Sequence, residues 1–140
     1  MKILLIDIET SPNTAHVWGL YNQNVSLNQL RESSYVMCWA AKWLDQDEVF
    51  FDSMMESKHK TMIKKVHALL DECDAVIHYN GTKFDIPTLN KEFLLAGLPP
   101  PSPYKEIDLF LFLWYIESFC PSTGSASSVE TTSCFPSPNN

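Results

Sequence analysis

The chain has 140 residues, 45% of them hydrophobic, which is enough to bury one core, short for two, and too apolar for wholesale disorder. Its formal net charge of -7 argues against binding nucleic acid through surface cations, unless divalent ions reverse the local field. There is no membrane-length apolar run and no signal-peptide pattern, and Cys38, Cys73, Cys120 and Cys134 fall in no C-x-x-C pair. A soluble, cytoplasmic protein with reduced thiols and no zinc site is expected.

In chain order, "KILLIDIET" begins with a β-strand over residues 2 to 8, built on Ile3, Leu4, Leu5, Ile6 and Ile8. "SPN" at 11 to 13 is a turn, "AHVWGLY" at 15 to 21 predicts a second strand, "YVMCWAAKWL" at 35 to 44 a third and "EVFFD" at 48 to 52 a fourth. These short strands predict an antiparallel meander. From Ser57 to Asp74 the apolar residues Met62, Ile63, Val66, Leu69, Leu70 and Cys73 repeat at helical spacing and predict an amphipathic helix. "AVIHYN" at 75 to 80 is a strand that Gly81 breaks, and a helix runs from about Ile86 to Ala96, with Pro87 in its first turn and Gly97 at its end. "YKEIDLF" at 104 to 110 predicts a last strand. Strands that follow helices point to an α/β domain with a mixed sheet. Residues 1–119 are expected to be this domain, and the Ser-, Thr- and Pro-rich residues 120–140 a disordered tail.

Residues two apart on a strand share a face, so Asp7 and Glu9 project together while Ile6 and Ile8 point the other way. Such a pair can be two solvated acids at a strand end. At the C-terminal end of an apolar first strand it also sits where α/β sheets bind ligands. Asp85 opens the second helix, where an acid serves as a cap, or it can face Asp7 and Glu9 if their strands are neighbours. Three carboxylates would suit Mg²⁺ or Mn²⁺. His67 and His78 read as satisfied or solvated histidines.

"DIETSP" followed by "HYNGTKFDIPTL" resembles the first two motifs of the DEDD, or DnaQ-like, 3′–5′ exonucleases of the ribonuclease H-like superfamily. The branch it is most similar to is related to the exonuclease domain of family B DNA polymerases and is often found in phages. The resemblance covers about residues 1 to 110. It implies a ribonuclease H-like mixed sheet with flanking helices, and a two-metal hydrolysis of phosphodiester bonds at nucleic-acid 3′ ends, single-stranded DNA above all. Asp7, Glu9 and Asp85 would be the metal ligands for Mg²⁺ or Mn²⁺. Thr10 would contact the terminal nucleotide, Asn80 and Phe84 would line its pocket, and Asp108 would support the site or lie solvated at a strand end. A DNA polymerase or replication protein is the implied partner, and the host cell cytoplasm the implied location for a phage protein.

The family's third motif, a His or Tyr followed by an Asp on a C-terminal helix, has no counterpart here. No Asp follows Asp108, and Tyr115 precedes Glu117 by two residues. A C-terminally incomplete fold is therefore expected, with a reading frame shifted or cut near residue 110. Phe110, Phe112, Trp114 and Phe119 would then form an apolar patch, and activity would be impaired. The alternative is a catalytically inactive module that binds nucleic acid or a protein partner and keeps only the fold.

Overall fold

A continuous β-forming run at the N-terminus becomes the central strand β1, Ile3–Thr10. The computed structural model describes residues 1–119. After β1 come a two-residue strand β2 (Thr14–Ala15), a short 3-10 turn at Leu27–Gln29, β3 (Leu30–Glu32), β4 (Val36–Trp43) and β5 (Val49–Ser53). The helical half follows: α1 (His59–Glu72), β6 (Ala75–His78), α2 (Asp85–Ala96), β7 (Lys105–Asp108) and α3 (Leu109–Phe119). The main sheet has the order β5-β4-β1-β6-β7. β1 pairs antiparallel with β4, as β4 does with β5, whereas β1–β6 and β6–β7 are parallel. The α/β mixed sheet of the sequence reading is the fold found.

The alternation of β1 decides which face is the core. Leu4, Ile6 and Ile8 are buried and stand opposite Trp43, Ala41 and Trp39 of β4. Against this face lie Met62, Ile63, Val66 and Leu70 of α1 and Ile86, Leu89 and Phe93 of α2. Full burial of each large aliphatic side chain contributes about 1.5–3 kcal/mol. Trp39 adds a polar tie, its indole N–H donating to the Met62 carbonyl at 3.1 Å. Neither α1 nor α2 has a side-chain N-cap hydrogen bond, so packing of the apolar stripe is what holds them. α2 stops where Gly97 takes a left-handed φ of 73°, and the Leu98 N–H reaches back to the Phe93 carbonyl at 2.9 Å.

The strand expected at 15 to 21 is absent. Only Thr14–Ala15 is extended, paired with β3 in a separate two-stranded sheet, and Trp18, Leu20 and Tyr21 are 87%, 88% and 85% exposed. The edge of β1 that a second strand would need is occupied by β4 along Leu4–Thr10. The last strand ends at Asp108, and "LFLFLWYI" continues as α3. Phe110, Phe112 and Trp114 are exposed there, as the sequence suggested, while the side chain of Phe119 and the tail expected at 120–140 lie outside the described residues. Among the described residues no helix is long and apolar enough to cross a membrane, and Cys38 and Cys73 are free thiols. Burial pushes the Cys73 thiol up to about 11.

Candidate active site at the carboxyl edge of the sheet

Asp7 and Glu9 leave β1 on the face opposite the core and are both exposed. Their partners across the β1–β4 ladder are Ala40 and Cys38, small residues that leave room above the acids. The ladder slips between Glu9 and Thr10, a bulge that re-aims the chain just after the acid pair. Ser11 then locks the exit from β1. Its N–H donates to the Tyr35 carbonyl at 2.9 Å, and the Tyr35 N–H donates to Ser11 Oγ at 3.0 Å.

β6 is the parallel neighbour of β1, so the loop after it delivers Asp85 to the same edge. Asp85 is 3% exposed. It does not cap α2; its Oδ1 accepts the Ile8 N–H across the gap to β1, at 3.3 Å. Burial raises the Asp85 pKa above the ordinary carboxylate value, and the neighbouring charge of Asp7 pushes it further. The Ile8 amide and His78 oppose that rise without cancelling it. Asp85 is thus a buried acid that feels the charge of Asp7 and accepts one long hydrogen bond from β1.

The oxygen-only donors fit a hard divalent ion, and so does the burial of Asp85 near the charge of Asp7. The ligand geometry fits less well: among the described residues no three His, Cys, Asp or Glu side chains are gathered to hold a metal. Asp85 and Asp7 are brought into electrostatic contact, and Glu9 shares the Asp7 face without closing a three-ligand cage.

The loop from Tyr79 to Phe84 is held by an acid on β7. Asp108 Oδ1 accepts the N–H groups of Asn80 at 2.8 Å and Phe110 at 3.0 Å, and Oδ2 accepts that of Thr82 at 3.3 Å. Burial works to raise the Asp108 pKa, but these hydrogen bonds outweigh it and leave the carboxyl below its usual value. Of the two readings open for Asp108, the solvated acid is wrong, because a carboxylate with three amide partners organises the loop. Asn80 carries the left-handed turn, with φ 59°. Gly81 serves a different purpose: a Cβ there would sit 2.4 Å from Cγ of His78. His78 is buried and its Nδ1 accepts the Gly81 N–H at 3.1 Å, while its Nε2 makes no hydrogen bond. His67 is satisfied as expected, its Nε2 2.8 Å from the Pro99 carbonyl and its ring against Phe93.

Phe84, just before Asp85, is 46% exposed and Thr10 is half-buried, so both present surface at this edge. Asn80 is tied into the loop through its backbone. Beside Asp7 the uncovered sheet face forms a groove of about 330 Å³ between Leu5, Ala40, Lys42, Ile77 and Tyr79.

A family model for the RNase H superfamily matches residues 4–136. The chain belongs to the RNase H superfamily. Among solved structures it is similar to the family B DNA polymerase from the hyperthermophilic archaeon Pyrobaculum calidifontis. That likeness has a TM-score of 0.50 and 20% sequence identity, over 80% of this chain and 16% of the other, and it speaks to the fold. No curated protein matches. An RNase H-like domain of this kind has a nuclease-type fold, and its carboxyl edge is where Asp7, Glu9 and Asp85 lie.

Proposed function

We propose that this RNase H-like chain is a metal-dependent 3′–5′ exonuclease of the DnaQ-like type, acting on single-stranded DNA ends with impaired activity. The observation that supports the reading is Asp85, a buried carboxylate at the start of α2 whose pKa is raised by burial and by the charge of Asp7, a rise that the Ile8 amide and His78 only partly offset. Asp7, Glu9 and Asp85 would hold Mg²⁺ or Mn²⁺, which supply activation of water and stabilisation of the leaving 3′ oxygen when bound. The chain's own residues do the positioning. Asp108 and His78 fix the loop that places Asp85, the bulge at Thr10 opens the backbone toward a terminal nucleotide, and Phe84 offers its exposed ring for stacking. A polymerase or replication protein would supply the 3′ end.

The acid expected from a third motif is not among the residues after Asp108, which favours a second reading: a module that binds a 3′ end without cutting it. The test is release of mononucleotides from 3′-labelled single-stranded DNA and RNA by the 140-residue chain, with and without Mn²⁺, beside Asp7→Ala. Slow, Mn²⁺-dependent release lost in Asp7→Ala is expected. Binding without release would leave the module, and rapid release would overturn the impairment.

A further inference from the structure

Between Glu9 and Arg31 the chain has no Asp, Glu, Lys or Arg, although 19% of all its residues are charged. Most of this stretch, from His16 to Gln29, is an arm that leaves β2 and returns to β3. The arm stands on the carboxyl edge of β1. Asn13 Oδ1 accepts the Ser34 backbone N–H at 2.7 Å, beside the Ser11–Tyr35 lock that follows Glu9 and Thr10. One side chain ties the base of the arm together. The His16 backbone N–H donates to the Gln29 carbonyl at 2.8 Å, and Gln29 Nε2 donates to the His16 carbonyl at 3.0 Å. Gln29 Oε1 also accepts the Ser26 backbone N–H at 2.9 Å.

The tip is shaped as well. Asn22 takes a left-handed φ of 52°, and Gln23 Nε2 donates to the Tyr21 carbonyl at 3.1 Å. From this frame Trp18, Leu20 and Tyr21 project almost fully exposed. Side chains this exposed add little to the core, yet the backbone beneath them is hydrogen-bonded at both base and tip. Such a frame presents its rings with much of the ordering entropy already lost, which favours contact with a partner.

Size and charge restrict that partner. The tip from Val17 to Asn24 is far short of the roughly 20–30 residues a side that a stable protein interface takes. Stacking needs only one flat ring per base and no charge. The lack of acids matters in a chain of net charge -7, because no carboxylate on the arm repels a phosphate backbone. A duplex already stacks its bases on one another, so the partner that gains from these rings is a single strand. We propose that the arm is a docking element for single-stranded nucleic acid, with bases stacked on Trp18 and Tyr21. It would hold the strand outside the acid edge of the sheet. The inference rests on the nucleic-acid reading above for its class of ligand, but it does not require the acids to cut.

The test is binding of labelled thymidine and uridine oligomers by the full chain in EDTA, for the native chain and for variants of the two rings. Trp18→Ala should weaken binding about five- to 150-fold, the loss expected of one stacked base, and Tyr21→Ala should act in the same direction. Tm should not move, because the rings are exposed. Trp18→Phe should keep most of the affinity, whereas Trp18→Leu, apolar but not flat, should not. The ratio of native to Trp18→Ala affinity should be the same at about 50 and about 200 mM salt, since stacking releases no counterions. A duplex of the same sequence should not distinguish the two chains. A native chain that binds neither oligomer, or a Trp18→Ala chain that binds as well as the native one, overturns the proposal. So does Trp18→Leu binding like the native chain, or self-association that Trp18→Ala abolishes, either of which marks a protein contact instead. Ring-dependent binding by a chain that releases no mononucleotides with Mn²⁺ would overturn the exonuclease reading alone. Mn²⁺-dependent release with no effect of Trp18→Ala on binding would overturn the arm alone.

Discussion

Asp85 shows what one side chain can report before any ligand is seen. Its pKa is raised, by burial first and by Asp7 next, so the folded state holds a proton more tightly than the unfolded state does. The stability it contributes is present below the unfolded carboxylate value of about 3.9 and is lost as pH rises through the folded value. Asp85→Asn is therefore expected to raise Tm at pH 7 by a few degrees in metal-free buffer. The gain should vanish near pH 3, and thermal melts across that range check it. Asp52 runs the other way. Burial works to raise its pKa, but Lys65, Ser57 and the Ser53 amide prevail and lower it. Its stability is present above the unfolded value and lost as pH falls through the folded one. Lys65, at 2.6 Å, is half-exposed and screened, so Asp52→Asn should cost about 1–2 kcal/mol at neutral pH in urea unfolding, and less as the pH drops below the carboxylate range.

At the scale of elements, the decisive piece is the loop between β6 and α2, because it leads into Asp85 at the start of α2 but is fixed from β7. Asp108→Ala would leave the amides of Asn80 and Thr82 without their acceptor. The expected loss is about 1–3 kcal/mol, with faster hydrogen exchange confined to those amides and to Phe110. Gly81→Ala would drive a methyl into the His78 ring and should destabilise the chain by at least a comparable amount, measured by the same unfolding. The sequence marks Gly81 as the residue that breaks the strand, yet the positive φ belongs to Asn80 and the glycine is needed for space over a buried ring. That distinction lies in a through-space contact, which the local sequence does not encode.

For the whole molecule, the prediction concerns coupling between folding and metal. A ligand that binds only the folded chain stabilises it by about 2.7 kcal/mol at 100 times its Kd, which is roughly 8 °C for a domain of this size. Mn²⁺ should therefore raise Tm of the native chain, and the rise should be lost in Asp85→Asn despite that variant's higher starting Tm. No shift in either chain would remove the metal reading while leaving the fold intact. The same whole-molecule view explains the exposed face of the sheet, where Leu5, Ile77 and Tyr79 meet Asp7 in an open groove.

Much of this was written in local patterns. The period of two in "LLIDIET" put Asp7 and Glu9 on one face, helical spacing placed α1 and α2, and the paired motifs pointed to the RNase H superfamily. These signals are legible because side-chain direction follows directly from strand and helix geometry. The strand expected at 15 to 21 failed because strand formation depends on a free edge, and β4, more than twenty residues later, takes it. Asp108 was open to supporting the site or to lying solvated at a strand end, and nothing in the local sequence singled out Glu92. Only the folded chain brings one to three amides and buries the other beside His59. By itself, the sequence determined the strands of the main sheet, α1 and α2, and the acids at the sheet's edge, but not α3. Tertiary structure alone decided which polar groups are paired and which are left waiting, because pairing depends on contacts between residues distant in the chain.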